Sequence, residues 1–203
     1  IFTLTGKKTS TDVKVPSAIS QIDSSKNGAA LIGTVEQSDD YGVVFNKDLK
    51  PQIDIWEDFQ CPACGAFEKA SSAKVLELAD AGKVRLLLRP TLFLDNNLEA
   101  KNTAAGNPQS SLRATNAFGC AVDQGFAQAY HSALFAAQPA TEGQGYSAAD
   151  LTAVAQAAGM TGESLTKFIE CSTNKTYEGW AKLSYEEFTK AGVTSTPTGK
   201  LNG

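Results

Sequence analysis

Asp54-Ile55-Trp56-Glu57-Asp58-Phe59-Gln60-Cys61-Pro62-Ala63-Cys64-Gly65-Ala66-Phe67 is the stretch that decides the fold. It begins as an apolar, alternating segment, meets two cysteines with two residues between them, and continues with helical spacing. Pro62 suits a first helical turn, where its fixed φ is pre-set and its missing N–H has no partner to lose. Cys61 then sits at the helix N-terminus, beside free N–H groups and the positive end of the helix dipole. Both favour an anion, and a thiolate is the anion on offer; cysteines so placed have pKa values lowered to roughly 3.5–7.5. Cys64, one turn further in, is expected to be more buried and able to resolve a mixed disulfide formed on Cys61.

Two other readings of the pair compete. A zinc site needs about four ligands, and the remaining candidates are two single cysteines, Cys120 and Cys171, and the sole histidine, His131. Ligand supply therefore argues against zinc, and no metal is expected. A structural staple is the other reading, but so short a loop restricts the unfolded chain little and strains the bond. That geometry suits exchange better than stapling. After a strand and opening a helix, C-x-x-C is a redox signal.

Composition sets the outer limits. Of 203 residues, 42% are apolar and 20% charged, which is enough to bury a core in one domain with an insertion. The net charge is −4 and no Lys/Arg cluster stands out, so nucleic acid is not an expected partner. No apolar run reaches the roughly 18 residues of a membrane span. Two lone cysteines in addition to the pair point to a bridge and an oxidising compartment. The chain opens at Ile1 without Met, which leaves room for a leader or anchor ahead of it.

In chain order, residues 1–39 are weakly patterned, with short apolar segments at Ile1–Leu4 and Ala29–Val35, and read as an extended arm lying on the domain with room for one edge strand. Strands are predicted at Tyr41–Phe45 and Gln52–Phe59, a helix from Pro62 to about Ala81 stopped by Gly82, and a buried strand at Val84–Arg89. These last elements make a β-α-β unit with the dithiol at the carboxyl end of its first strand, where open α/β sheets gather their sites. Residues 95–108 are polar and turn-rich and mark a boundary. Helices are predicted at 109–123, 125–137, 147–158, 162–171 and 175–191, with starts at Ser147 and Thr161 and stops at Gly159 and Gly192. The domain plan is thus an arm (1–39), a core in two pieces (40–94 and 192–203) and a helical insertion (95–191).

Cys120 and Cys171 fall in the first and fourth inserted helices. They are either two buried free thiols or a bridge worth roughly 4 kcal/mol in the loop-entropy model; the even count and the compartment favour the bridge. Thr196-Pro197 by itself is an ordinary trans turn, since only about 5–6% of X–Pro bonds in folded proteins are cis.

Trp56-Glu57-Asp58-Phe59-Gln60-Cys61-Pro62-Ala63-Cys64, a helical insertion, and then Gly192-Val193-Thr194-Ser195-Thr196-Pro197-Thr198 resemble the DsbA-like thiol–disulfide oxidoreductases, closest to secreted or membrane-tethered Gram-positive members. The resemblance covers roughly residues 41–203. It implies an α/β, thioredoxin-like fold with an inserted all-helical domain. It also implies that Cys61 attacks, Cys64 resolves and Pro197 is a cis-proline facing them. Thr196 would offer backbone hydrogen bonds to a substrate segment, with Pro62 and Ala63 on the same binding face. Implied partners are folding secreted proteins with free thiols and a quinone-linked membrane protein as reoxidant. The implied state is an extracytoplasmic monomer without a cofactor.

Three features depart from the family pattern. The dipeptide between the cysteines is Pro-Ala, where strongly oxidising relatives often carry Pro-His. Ile55 stands where thioredoxins often have a buried acid, leaving Glu57 and Asp58 either to assist proton transfer or to be solvated strand-end acids. The family continues beyond an Asn202-Gly203-like turn with a further strand and helix, and Gly199 and Lys200 are less apolar than a central strand expects. The leading expectation is an oxidase. An isomerase or reductase using the same thiols, and a non-catalytic peptide-binding module, are the alternatives.

Overall fold

A computed structural model describes a strand at residues 35–37, by its backbone, and residues 41–202. The expected arm otherwise lies outside the described residues. The strands are β1 (Val35–Gln37), β2 (Val43–Phe45), β3 (Gln52–Glu57), β4 (Arg85–Pro90) and β5 (Thr198–Leu201). They form one mixed sheet in the order β1-β2-β4-β3-β5. β3 and β4 run parallel, Gln52 opposite Arg85 through Glu57 opposite Pro90. Their crossover is α1 (Pro62–Phe67), a π-helical turn (Glu68–Ser72) and α2 (Ala73–Asp80). β2 pairs antiparallel with β4, and β5 antiparallel with β3, Trp56 opposite Thr198.

The sheet is buried on both faces because alternate side chains serve different layers. Ile53, Ile55, Leu86 and Leu88 face the main core, together with Val43 and Phe45. Trp56 points the other way, into a smaller cluster with Phe188 and Val193. Each fully buried leucine of β4 contributes about 1.5–3 kcal/mol. On the Trp56 face two buried charges pair: Arg89 Nε donates to Asp54 Oδ1 at 2.8 Å, and the guanidinium lies over the Trp56 ring at 5.1 Å. Lys200 of β5 covers the same ring at 5.2 Å. That role accounts for a polar residue in this strand, whose alternate side chains are exposed.

The helical layer comprises α3 (Asp95–Ala104), α4 (Ser110–Asp123), α5 (Ala127–Ala136), α6 (Ala148–Ala157), α7 (Gly162–Thr173) and α8 (Glu178–Lys190). α4 is its axis, with twelve buried positions out of fourteen residues. A Cys120–Cys171 disulfide joins α4 to α7. Gly119 permits the contact of α4 with the start of α8, because a Cβ there would lie 2.9 Å from the Tyr177 ring. α8 closes the far face of the sheet, where the Ser184 hydroxyl donates to the Pro90 carbonyl. α6 starts with a capping box between Ser147 and Asp150. Gly159 and Gly192 take left-handed φ at the helix ends.

Three local features differ from the sequence reading. Residues 95–104 are helix rather than a turn-rich boundary, with only Leu98 and Asn102 of α3 buried. Asp95 explains its placement. The carboxylate accepts the Ser111 and Leu112 N–H groups at 2.8 and 2.9 Å, capping α4, whose own cap residue Gln109 makes no side-chain bond. The crossover helix is interrupted by the π turn, an extra residue in the ladder. Lys50–Pro51 is a second cis peptide beside Thr196–Pro197.

Candidate active site

The dithiol site grows out of the end of β3. The chain turns after Glu57, and the Cys61 N–H donates to the Asp58 carbonyl at 2.9 Å. Cys61 has extended backbone (φ −74°, ψ 117°) and caps α1, while Pro62 occupies the first turn. No side-chain oxygen caps this helix, so the Cys61 sulfur receives the backbone N–H groups of Ala63 and Cys64 instead. Cys61 and Cys64 are both buried free thiols, and Pro62 and Ala63 between them are exposed.

The environment separates the two sulfurs. The Cys64 thiol, hydrogen-bonded to Cys61, is the largest influence and lowers the Cys61 pKa. Burial opposes it; the Thr196 side chain and the two backbone N–H groups add to it, and Cys61 is held down to about 6. Cys64 is pushed far above the ordinary thiol range, first by that same hydrogen bond and then by burial, Cys61 and Glu57. Cys61 is therefore the thiolate at neutral pH and Cys64 holds the proton.

The loop before β5 completes the site. The Thr196–Pro197 bond is cis, and the Thr196 carbonyl lies 3.4 Å from Cys61 Sγ. Thr196 and Pro197 are half-buried beside Cys61.

Glu57 and Asp58 are not solvated; both are buried, at 3% and 0% exposure. They face different partners. Asp58 accepts the N–H groups of Gln60 and Leu94 at 2.9 and 2.8 Å and the Ser111 hydroxyl at 2.7 Å. Burial nonetheless raises its pKa to about 7. Gln60 extends the network to Ser111 at 2.8 Å and Asn102 at 2.7 Å, so Asp58 anchors the turn to the helical layer. Glu57 instead meets His131 of α5, Nε2 to Oε2 at 2.7 Å.

Four residues of the site were not legible from the motif. His131 is buried among Phe59, Phe118 and Phe135. Glu68 lies 3.7 Å from His131 Nδ1 and accepts the Ser132 hydroxyl at 2.8 Å. Gln138 donates to the Phe59 and Cys61 carbonyls at 3.0 and 2.9 Å. Tyr146 brings its hydroxyl to within 3.0 Å of the Phe59 and Leu134 carbonyls. The only sequence signal was His131 itself, the sole histidine, on an apolar helix. Ligand atoms of Glu57, Glu68 and His131 lie within 4.8 Å of one another. With His131 Nε2 bonded to Glu57, the cluster falls short of the roughly four ligands of a zinc site.

A thiolate at a helix N-terminus, a protonated partner one turn inside and a cis-proline alongside define a thiol–disulfide oxidoreductase of thioredoxin architecture. The chain belongs to the thioredoxin family, whose profile matches residues 43–203. Within it, the chain sits with the DsbA-like enzymes of Gram-positive type. Oxidised DsbA of Mycobacterium tuberculosis is 30% identical, with 75% of this chain and 73% of that one covered and a TM-score of 0.61. Reduced DsbG of the same organism, a disulfide bond oxidoreductase, is 27% identical over 75% of this chain and 69% of that one, with a TM-score of 0.59. MdbA of Actinomyces oris, a thiol–disulfide oxidoreductase, shares the fold at 23% identity, over 80% of this chain and 76% of that one, with a TM-score of 0.66. No curated protein matches the chain.

Proposed function

We propose that the protein is an extracytoplasmic oxidase that donates the Cys61–Cys64 disulfide to folding secreted proteins. A substrate thiolate attacks Cys61 Sγ, the Cys61–Cys64 bond breaks, and Cys64 leaves with the electron pair and takes up a proton. A second substrate thiolate then attacks the substrate sulfur of the mixed disulfide and releases Cys61 as a thiolate. One observation carries this reading: Cys61 is held down to about 6 while Cys64 is pushed up. A stabilised thiolate favours the dithiol state, and so makes the disulfide a strong oxidant. Cys61 and Cys64 are the exchanging pair and Pro197 shapes the groove. Thr196, Pro62 and Ala63 border a substrate strand, which pairs through its backbone with Thr196. The Cys120–Cys171 bridge is structural. The protein acts as a monomer and is reoxidised by a quinone-linked membrane protein. Among the described residues no helix is long and apolar enough to cross a membrane.

The isomerase or reductase reading uses the same thiols at a lower potential. Equilibration of the Cys61–Cys64 pair in glutathione buffers separates the two. An oxidase gives a potential well above the glutathione couple, towards the roughly −120 mV of the strongest known oxidant of this type; a value near the roughly −270 mV of thioredoxin sinks the proposal.

A further inference from the structure

We propose that the helical layer carries a second binding site, a cavity beside Arg113 that takes a carboxylate attached to a short apolar body. The cavity measures about 260 Å³ and lies between α4, the start of α6, the end of α7 and the turn into α8. None of its lining residues belongs to the dithiol site, so the inference stands apart from the redox reading. Arg113 supplies the charge. It is half-buried on α4 and lines the cavity. Among the described residues its guanidinium meets no carboxylate and no side-chain hydrogen bond, whereas Arg89 is paired with Asp54. A guanidinium drawn partly out of water without a partner costs free energy, and a carboxylate offsets that cost. The match is geometric as well, since the rigid fork of donors meets both carboxylate oxygens at once.

The other charges at the cavity cancel. Lys175 Nζ stands 3.4 Å from Glu178 Oε1, and both residues line the cavity. Arg113 therefore leaves one net positive charge, which suits a monoanion better than a phosphate dianion. The start of α6 adds to it. Its capping box engages the Ser147 and Asp150 N–H groups, which leaves those of Ala148 and Ala149 without an intrahelical partner. The apolar body is called for by Leu151 of α6 and Ile169 of α7, which line the same cavity. Ile169 is 38% exposed, one of three large apolar side chains so placed among the described residues, and a ligand's apolar part removes it from water. The walls are pre-formed. Asn116, 2% exposed, donates through Nδ2 to the Ser172 carbonyl at 3.2 Å and accepts the Tyr177 N–H at 2.7 Å. The Cys120–Cys171 disulfide ties α4 to α7 beside it. Little of the site has to be ordered when a ligand enters, so little affinity is lost to ordering.

The test titrates the native protein, its Cys120–Cys171 bridge intact, with isocaproate and with isocaproamide, the uncharged isostere, and follows backbone amide NMR shifts. The site requires saturable shifts around Arg113, Ala148 and Ser172, with a dissociation constant for isocaproate of about 1 mM or below. It requires the amide to bind about tenfold more weakly or worse, and isocaproate to lose a similar factor in Arg113→Gln. Ile169→Ser should weaken isocaproate severalfold, because the apolar wall is gone. N-acetyl-glycyl-leucine separates two sources of the same chemistry. Saturable binding of this peptide at the same residues assigns the site to an apolar C-terminal residue of a polypeptide; binding of isocaproate alone assigns it to a free small acid. No saturable shift up to about 20 mM isocaproate overturns the proposal. So does equal binding of acid and amide, or an unchanged affinity in Arg113→Gln. The acid-to-amide ratio is read on the native protein, so the outcome does not depend on either variant folding.

Discussion

Gln138 Nε2 lies 2.9 Å from the carbonyl oxygen of Cys61. A residue beyond the end of α5 thus holds the backbone of the attacking cysteine, 77 positions away. The same amide reaches the Phe59 carbonyl at 3.0 Å, so one side chain spans the turn between β3 and α1. Gly65 makes room for it, because a Cβ there would collide with the Gln138 amide.

Replacing Gln138 by Leu keeps the bulk and removes both donors. Each carbonyl loses one donor and keeps another, the Tyr146 hydroxyl on Phe59 and the Gly65 N–H on Cys61, so the cost is about 0.5–1.5 kcal/mol for each bond removed. The expected result is a lower unfolding midpoint in urea with an unchanged slope. Gly65→Ala should act in the same direction, and the two losses should be less than additive in the double variant because both disturb one contact. Full additivity would show that Gly65 does not serve this contact.

The pH dependence of the dithiol follows from Cys61. Its pKa in the folded, reduced protein is lowered from an ordinary 9.0 to about 6. A lowered acid contributes stability to the reduced form that is fully present above the ordinary value and is lost as pH falls through about 6. Above that pH, reduction of the disulfide takes up one proton, on Cys64; below it, two. The midpoint potential should therefore change by about 30 mV per pH unit above the break and about 59 mV below it. Thiolate ultraviolet absorbance should titrate at the same pH. Cys64→Ala removes the largest cause of the lowering and should move the titration upward. A single slope of about 59 mV across the range would mean that Cys61 is an ordinary thiol.

The Cys120–Cys171 bridge closes a loop with a sequence separation of 51. In the loop-entropy model its removal costs about 4 kcal/mol. The double variant Cys120→Ala, Cys171→Ala should unfold at lower urea by that amount, while the potential of the Cys61–Cys64 pair stays where it was. A shift in that potential would show that the helical layer tunes the thiols rather than merely supporting them.

Much of the architecture was legible because period changes are visible in a single chain. The alternation of Ile53 and Ile55 with Asp54 and Trp56 gives way to helical spacing at Pro62, and that switch places the dithiol. Helices α4 to α8 announced themselves as helical runs and, at Ser147, Gly159 and Gly192, through their ends. α3 did not, because only two of its ten residues are buried and what fixes it is Asp95 reaching across to α4. The π turn was equally hidden, since one extra residue in a ladder leaves no mark on composition. The contacts behind Cys64 are long-range: Glu57 and His131 are 74 residues apart, and nothing local to Glu57 distinguishes a buried acid from a solvated one.

Gln60, Asn102, Gln138 and Tyr146 are stitched across the seam between sheet and helical layer, all within reach of the turn that carries Cys61. For anyone building hybrids, residues 95–191 are consequently not a detachable module. Grafting in a relative's helical layer without these partners would leave the dithiol on a turn whose carbonyls have lost their far-side grip. The natural unit of exchange is the layer together with the seam residues of β3 and its turn.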